Sequence, residues 1–90
     1  MSVILMSDYG LKFTPLFEKQ LIKLKSKDKI LFERLTKKLK EIRNNPEHYK
    51  PLRNILKGMR RAHLDPFIII FEIEDDLIIV HYVKHHDKAY

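Results

Sequence analysis

The 90-residue chain has no cysteine, no tryptophan and only two glycines. The missing cysteine excludes disulfide bonds and thiolate metal sites. No apolar run approaches the roughly 20 residues that a bilayer-spanning helix needs. Residues 1–6 have neither the basic part nor the full apolar part of a secretion signal, so we expect a cytoplasmic protein without a membrane segment. With 44% hydrophobic and 33% charged residues, the chain is typical of one globular domain, spanning residues 1–90.

Positive charge is concentrated in the middle of the chain. Residues 12–61 carry sixteen Lys or Arg against five Asp or Glu, a local net charge of +11. Residues 62–90 carry two cations and six acids, a local net charge of −4. The basic part can attract RNA or an acidic protein partner. For most of its lysines, however, the solvation of two helix faces is the simpler explanation.

The hydrophobic patterns predict an α+β fold, with an N-terminal strand and a two-helix hairpin packed on a small, mainly antiparallel sheet. Thr14 and Asp28 are the expected helix caps, and Asn45-Pro46 ends the second helix. The predicted elements are a strand at 11–13, helices at 15–25 and 29–44, an irregular stretch at 47–58, and strands at 59–64, 67–74 and 77–84.

The last two predicted strands are apolar at nearly every position. A strand of this kind has both faces buried, whereas a half-exposed strand alternates apolar and polar residues. We expect one face of the sheet to pack on the helices. The other face needs a cover of its own, and a partner protein is a candidate for it.

Residues able to move protons or bind phosphate are concentrated near the last three strands. Arg61 and His63 are two apart on a strand and therefore share a face, and Asp65 continues that row if the strand persists. His85, His86 and Tyr90 follow the last strand and can return to the same surface. Imidazole and phenol groups transfer protons, while cations stabilise a developing phosphorane. The sequence thus predicts metal-free RNA cleavage through attack by the neighbouring 2′-hydroxyl.

A metal site is the competing explanation for the C-terminal histidines. Imidazole and carboxylate ligands suit zinc or nickel, and the group comprises His81, His85, His86 and Asp87. The chain has no cysteine and no helical His-x-x-x-His pair, so we expect no metal and no cofactor. His81 alternates within an apolar strand, which favours a structural role for it.

The chain resembles the RelE/ParE toxin superfamily of toxin–antitoxin systems over residues 12–90. The segments that carry the resemblance are FTPLFEKQL at 13–21, NP and PL at 45–46 and 51–52, LKGMRR at 56–61, FIIIFEI at 67–73 and HHDKAY at 85–90. The resemblance implies a compact α+β toxin that a RelB-like antitoxin wraps and neutralises in a hetero-oligomer. It also implies either cleavage of mRNA in the ribosomal A site, as in the RelE-like branch, or poisoning of DNA gyrase, as in the ParE-like branch.

The chain departs from the superfamily pattern at two positions. Typical members have an arginine after the aromatic residue that opens the middle strand, and this chain has Ile68 after Phe67. His86 stands where a C-terminal His-Arg-Asp motif has its arginine. The chain is more similar to the YafQ-like branch, and the residues that carry this similarity are Arg61, His63, residues 65–67 and a C-terminal histidine with an aromatic residue.

That branch implies roles for several positions. His63 and His85 match acid/base residues, and Tyr90 matches the terminal aromatic. Asp65 matches the branch's aspartate only if one residue is deleted nearby. The upstream histidine of the branch falls near Lys50 rather than on His48 and is expected to be lost. The catalytic residues expected are His63, His85, His86, Tyr90, Arg61 and Asp65, and the RNA-binding cations expected are Arg60, Arg61, Lys57, Lys50 and Lys88.

Two classes of function remain open. The first is a ribosome-dependent mRNA endoribonuclease inhibited by its antitoxin, and the retained histidines with Tyr90 favour it. The second is a non-catalytic toxin, either a gyrase inhibitor or a degenerate homologue that still binds antitoxin, and Ile68 favours it. A generic RNA-binding module is less consistent with the strands, because they lack an exposed aromatic platform.

Overall fold

The computed structural model describes residues 9–52 and 58–88, which form a four-stranded sheet and two helices. The elements are β1 (Gly10–Phe13), α1 (Pro15–Lys27), α2 (Lys29–Asn44), β2 (Met59–Leu64), β3 (Phe67–Glu74) and β4 (Leu77–His85), with 3-10 turns at Pro46–His48 and His86–Lys88. The predicted α+β fold is confirmed, and the element bounds agree with the sequence to within two residues.

The sheet has the strand order β1-β4-β3-β2, so β1 and β2 are its edges. β1 is parallel to β4, while the other pairs are antiparallel. Asp75, with a φ of 57°, forms the tight turn between β3 and β4. Asp tolerates this left-handed conformation better than most residues, which suits it to a hairpin turn.

Both predicted helix caps are present. Thr14 Oγ1 accepts a hydrogen bond of 3.1 Å from the Phe17 N–H, and Asp28 Oδ1 accepts one of 3.1 Å from the Leu31 N–H. Each bond satisfies a backbone donor that has no partner within its helix. Asp28 also ends α1, since its N–H bonds to the Leu24 carbonyl. The two helices therefore meet at a single residue and form a tight hairpin.

The helix hairpin covers one face of the sheet. The α2 stripe of Leu31, Leu35, Leu39 and Ile42 is buried, as its helical spacing predicts. It packs against alternate residues of the central strands, which are Ile69, Phe71, Ile78 and Val80. Neither helix is long and apolar enough, within the part of the chain that the structure describes, to cross a bilayer.

The opposite face of the sheet is less open than its composition predicts. Ile68 and Ile70 point away from the helices, yet each is only 1% exposed. The large apolar residues that are exposed within residues 9–52 and 58–88 lie on the helices instead; they are Leu16, Ile22 and Ile30. The expectation of an exposed apolar sheet centre awaiting a partner is therefore wrong.

The outer edge of β4 is completed by side chains from α1 and its cap. β1 pairs with β4 only from Leu77 to Val80, so the rest of that edge lies beyond β1. Thr14 Oγ1 donates a 2.7 Å hydrogen bond to the carbonyl of His81. The amide of Gln20 both donates to the Val83 carbonyl and accepts from the Val83 N–H, each at 2.9 Å. Gln20 thus replaces one residue of a missing neighbour strand.

Replacing Gln20 by alanine is expected to destabilise the fold. The change leaves the half-buried N–H and C=O of Val83 without partners, which costs about 1–3 kcal/mol. The thermal midpoint should fall by about 4–8 °C for each kcal/mol lost. Urea unfolding measures the change. Lys19→Ala, on the exposed side of the same helix, is the control and should stay within about 0.5 kcal/mol of wild type. Equal stabilities of the two variants would contradict the proposed edge role of Gln20.

Candidate functional site

The alternation of β2 gives its neighbouring arginines opposite surroundings. Ala62 and Leu64 are buried in the core beneath the helices, so Arg60 shares their face of the strand. Arg61 and His63 lie on the other face, as the two-residue spacing predicts. Arg61 is half-buried and His63 is exposed.

Asp65 does not continue this row, because β2 ends at Leu64. Asp65 and Pro66 form the turn to β3 and are joined by a cis peptide bond. The Asp65 carbonyl accepts a 3.1 Å hydrogen bond from Arg34 Nη2 of α2. The condition under which Asp65 would stand beside His63 on the strand is therefore not met.

A groove of about 380 Å³ lies between α2, the segment after the first 3-10 turn, and β2. Its lining residues are Lys38, His48, Tyr49, Lys50, Arg61 and His63. Three of these side chains are cationic and none is acidic, so the groove suits a polyanion. It unites three predicted residues, namely Lys50, Arg61 and His63.

Lys38 and His48 are groove residues that sequence reasoning missed. The upstream histidine of the YafQ-like branch matches near Lys50 rather than at His48, yet the 3-10 turn at Pro46–His48 brings both residues to the rim of the groove. For Lys38 the pattern of α2 carries no signal, since Lys37, Lys38 and Lys40 all suit an exposed helix face. Lys38 Nζ lies 3.1 Å from Glu41 Oε1 one turn along the helix.

Backbone contacts along β2 form the wall of the groove. Pro51 bridges to Arg60 across the strand edge. The Leu52 N–H bonds to the Met59 carbonyl at 2.7 Å, and the Arg61 N–H bonds to the Lys50 carbonyl at 3.3 Å. The segment around Lys50 thus covers β2 from Met59 to Arg61 and stops short of His63.

The Arg60 side chain holds the segment around Lys50 against β2 and does not line the groove. Its Nη1 donates a 2.8 Å hydrogen bond to the Tyr49 carbonyl and lies 3.5 Å from the Glu47 carbonyl. Tyr49 in turn packs edge-on against Phe71, with ring centroids 5.8 Å apart. The Tyr9 hydroxyl donates to the Glu47 carboxylate at 3.1 Å, and this hydrogen bond raises the pKa of Tyr9. Arg60 therefore has a structural contact in this fold, and its contact with RNA stays a prediction.

The histidine that stands beside His63 is His86. Their ring centroids are 5.7 Å apart and the rings are tilted by 40°. The backbone N–H of His86 donates a 2.7 Å hydrogen bond to the Pro66 carbonyl, which holds the C-terminal turn against the β2–β3 turn. The two imidazoles therefore lie at one end of the sheet, next to the cationic groove.

His85 lies on the other face of the sheet. It pairs across the ladder with Phe67, and the two rings pack edge-on with centroids 5.4 Å apart. Phe67 is partly buried and packs against the helix-covered core. His85 Nδ1 accepts a 3.3 Å hydrogen bond from the Asp87 N–H. Of the two C-terminal histidines expected to be catalytic, His86 therefore lies beside His63 and His85 does not.

Other predicted residues lie elsewhere. Tyr90 and Lys57 lie outside the described residues, as does the side chain of Lys88. His81 Nε2 is 2.5 Å from Glu72 Oε1 beside the irregularity at Ile70/Phe71 of β3, so it has the structural setting predicted for it. Within residues 9–52 and 58–88, no group of three or more His, Asp or Glu is arranged to hold a metal ion.

Comparisons with known proteins agree with this architecture. The family model described as the ParE toxin of type II toxin–antitoxin systems, parDE, matches residues 11–90. RelE4 of Methanocaldococcus jannaschii is 36% identical over 85 residues, covering 91% of this chain and 90% of that protein. The toxin–antitoxin complex RelBE2 of Mycobacterium tuberculosis matches with a TM-score of 0.75 and 22% identity, over 86% of this chain and 96% of its own. A YafQ mutant from Escherichia coli matches with a TM-score of 0.71 and 18% identity, over 91% and 98%.

The neighbouring arginines of β2 are expected to differ in their effect on stability. Arg60→Ala removes a charged donor from the Tyr49 carbonyl, so the free energy of unfolding should fall by about 1.5–3 kcal/mol. Arg61→Ala removes a cation from a groove that already contains two lysines, so stability should change by less than about 0.5 kcal/mol. Urea unfolding at one fixed salt concentration measures both. A larger loss for Arg61→Ala than for Arg60→Ala would contradict this assignment.

Proposed function

The chain belongs to the ParE toxin family of type II toxin–antitoxin systems, and we propose that this member is a ribosome-dependent mRNA endoribonuclease. We place it in the cytoplasm, acting on mRNA in the ribosomal A site and held inactive by a cognate RelB-like antitoxin. The observation that best supports the proposal is the pair of adjacent imidazoles, His63 and His86, beside a groove lined by cations.

The proposed reaction is attack of a ribose 2′-oxygen on the adjacent phosphorus. One imidazole of the His63–His86 pair accepts the 2′-hydroxyl proton, and the other gives a proton to the departing 5′-oxygen. The new 2′-O–P bond and the broken P–O5′ bond leave a 2′,3′-cyclic phosphate and a 5′-hydroxyl. Histidine suits both tasks because it gains and loses a proton near neutral pH. The reaction needs no cofactor.

Cations of the groove are proposed to stabilise the phosphorane. Arg61 lies on the same strand face as His63, and Lys38 and Lys50 line the same groove. Positive charges aimed at oxygens that gain charge in the transition state lower the barrier. His48, on the wall formed with Lys50, is proposed to contact the RNA strand as well.

The replacement of the family arginine by Ile68 is compatible with this proposal. Ile68 pairs directly with His63 across the ladder and is 1% exposed, so it forms an apolar support beside the imidazole. The charge that an arginine would supply at that position is proposed to come from Arg61, one strand away. Ile68 would abolish activity only if Arg61 could not supply the charge of the missing arginine.

A non-catalytic toxin is the second candidate. The matching family model is that of ParE toxins, which favours a gyrase inhibitor. Ile68 favours a degenerate homologue that retains antitoxin binding and has lost cleavage. Neither candidate requires two imidazoles beside a cationic groove.

Cleavage of a defined mRNA on programmed ribosomes, run beside the naked mRNA, tests the proposal. His63→Ala and His86→Ala should each slow A-site cleavage by about 10²–10⁴-fold, which is the usual contribution of a general acid or base. His85→Ala is the matched control, because that ring lies on the opposite face of the sheet, and it should stay within about threefold of wild type. Thermal melts establish that all three variants are folded.

The same experiment separates the alternatives. A large loss in His85→Ala together with full activity in His86→Ala would contradict the proposed acid/base pair. Absence of cleavage by folded wild-type protein would contradict the nuclease. A supercoiling assay with DNA gyrase would then distinguish a gyrase inhibitor from a toxin that only binds its antitoxin.

A further inference from the structure

A small apolar cavity lies between the two helices and one end of the sheet. Its volume is about 50 Å³, and its lining residues are Gln20, Leu24, Leu31, Leu35, Leu64, Phe67 and Val83. The amide of Gln20 is already hydrogen-bonded to the Val83 backbone at both its oxygen and its nitrogen. The lining side chains therefore offer an occupant no free polar partner. Apolar cavities of this kind stay dry and bind apolar molecules instead of water.

The cavity adjoins a larger groove at the surface beside α1. The groove has a volume of about 440 Å³, and its lining residues are Gln20, Lys23, Leu24, Lys27 and Phe67. Gln20, Leu24 and Phe67 also line the cavity, so these three residues form the boundary between the two spaces. The groove is within the range of roughly 300–1,000 Å³ that is usual for small-molecule sites.

Both charged residues of this groove are lysines. Lys23 and Lys27 are four residues apart on α1, and side chains at this spacing lie one turn apart on the same face of a helix. Both are exposed, so their methylenes can cover Leu24 while the ammonium groups remain in water. Within residues 9–52 and 58–88, neither lysine forms an ion pair. The groove thus combines an apolar lining with two cations at its rim.

The ring of Phe67 is a preformed wall of the site. It packs edge-on against His85, with ring centroids 5.4 Å apart, and Phe67 pairs with Leu64 and His85 in the sheet. A wall that is ordered before binding reduces the entropy lost when a ligand binds. This side of the sheet is opposite to the face that carries Arg61 and His63, so the site is separate from the candidate cleavage site.

We propose that the cavity and the groove bind a small amphipathic anion, namely an aliphatic chain with one carboxylate head group. The end of the chain occupies the cavity, and the rest lies in the groove over Leu24 and Phe67. The carboxylate lies between Lys23 and Lys27. Each buried methylene increases the affinity about fourfold, and the two lysines favour a charged head group over a neutral one. The inference does not depend on the proposed cleavage of RNA.

RNA is a poorer occupant of this groove than of the cleavage groove. The cleavage groove is lined by three cations, whereas this groove has two lysines and an apolar lining. A nucleic acid carries a charge at every phosphate and would place some of them against Leu24 and Phe67, where no polar partner is available. A single carboxylate keeps its charge at the rim.

Titration of octanoate, followed by NMR of the Leu, Ile and Val methyl groups, tests the site. The signals of Leu24, Leu31 and Val83 should shift with one common dissociation constant. Those of Ile22 and Ile30, which are exposed on the same two helices, should not shift. Butyrate is four methylenes shorter and should bind at least about 20-fold more weakly. Octan-1-ol lacks the charge and should bind at least about threefold more weakly.

Charge reversal and cavity filling provide the variants. The double variant Lys23→Glu/Lys27→Glu should weaken octanoate binding at least about tenfold at low salt, because repulsion replaces attraction. Lys19→Glu/Lys37→Glu makes the same change in net charge at exposed positions outside the groove lining and should stay within about twofold of wild type. Leu31→Phe fills the cavity from α2 and should weaken binding with both lysines in place. Thermal melts establish that the variants are folded.

Several outcomes would overturn the inference. These are shifts confined to Ile22 and Ile30, equal affinities for octanoate and butyrate, and equal effects of the two charge variants. Concentration-dependent shifts of the cavity methyl groups without octanoate, with a dimer in sedimentation, would assign the groove to a second copy of the chain instead. Binding to vesicles of anionic phospholipid without any response to free octanoate would assign it to a membrane surface. None of these outcomes bears on the proposed endoribonuclease.

Discussion

The arrangement of the whole domain depends on how the outer edge of β4 is satisfied. β1 covers only the first four residues of that nine-residue strand, and the polar backbone beyond it needs partners because unpaired buried groups are costly. Thr14 and Gln20 provide them from the start of α1. This requirement fixes α1 against the sheet. The one-residue junction at Asp28 then directs α2 back across the sheet. α2 forms one wall of two grooves, one beside β2 and one beside β1.

The pairing of backbone groups at the other edge of the sheet, along β2, locates the candidate site. The segment around Lys50 covers β2 as far as Arg61, and Arg60 fastens it by reaching the carbonyl of Tyr49. The cover ends before His63, so this imidazole remains exposed just where the hairpin turn and the C-terminal turn meet. Arg60 and Arg61 thus have different roles, because strand alternation directs them to opposite faces. Arg60 holds the segment that walls the groove, and Arg61 contributes positive charge to the groove.

Local signals in the sequence predicted what local physics determines. The caps at Thr14 and Asp28, the apolar spacing of α2 and the shared face of Arg61 and His63 all depend on neighbours within a few residues, and the structure has each of them. Features that depend on tertiary contacts were missed. Whether His85 or His86 lies beside His63 depends on the register of β4 against Phe67. The position of Asp65 depends on where β2 ends. Lys38 and His48 line the groove because α2 faces the turn after Pro46. The burial of Ile68 and Ile70 likewise depends on the assembled fold rather than on strand composition.

Helix α2 links the two surfaces while keeping them apart. Successive residues of a helix are separated by about 100°, so Lys38 and Lys40 flank the buried Leu39 on opposite sides. Lys38 lines the groove at β2, and Lys40 lines the groove at β1. The buried side chain of Leu39 between these two lysines therefore keeps them on separate surfaces of the domain.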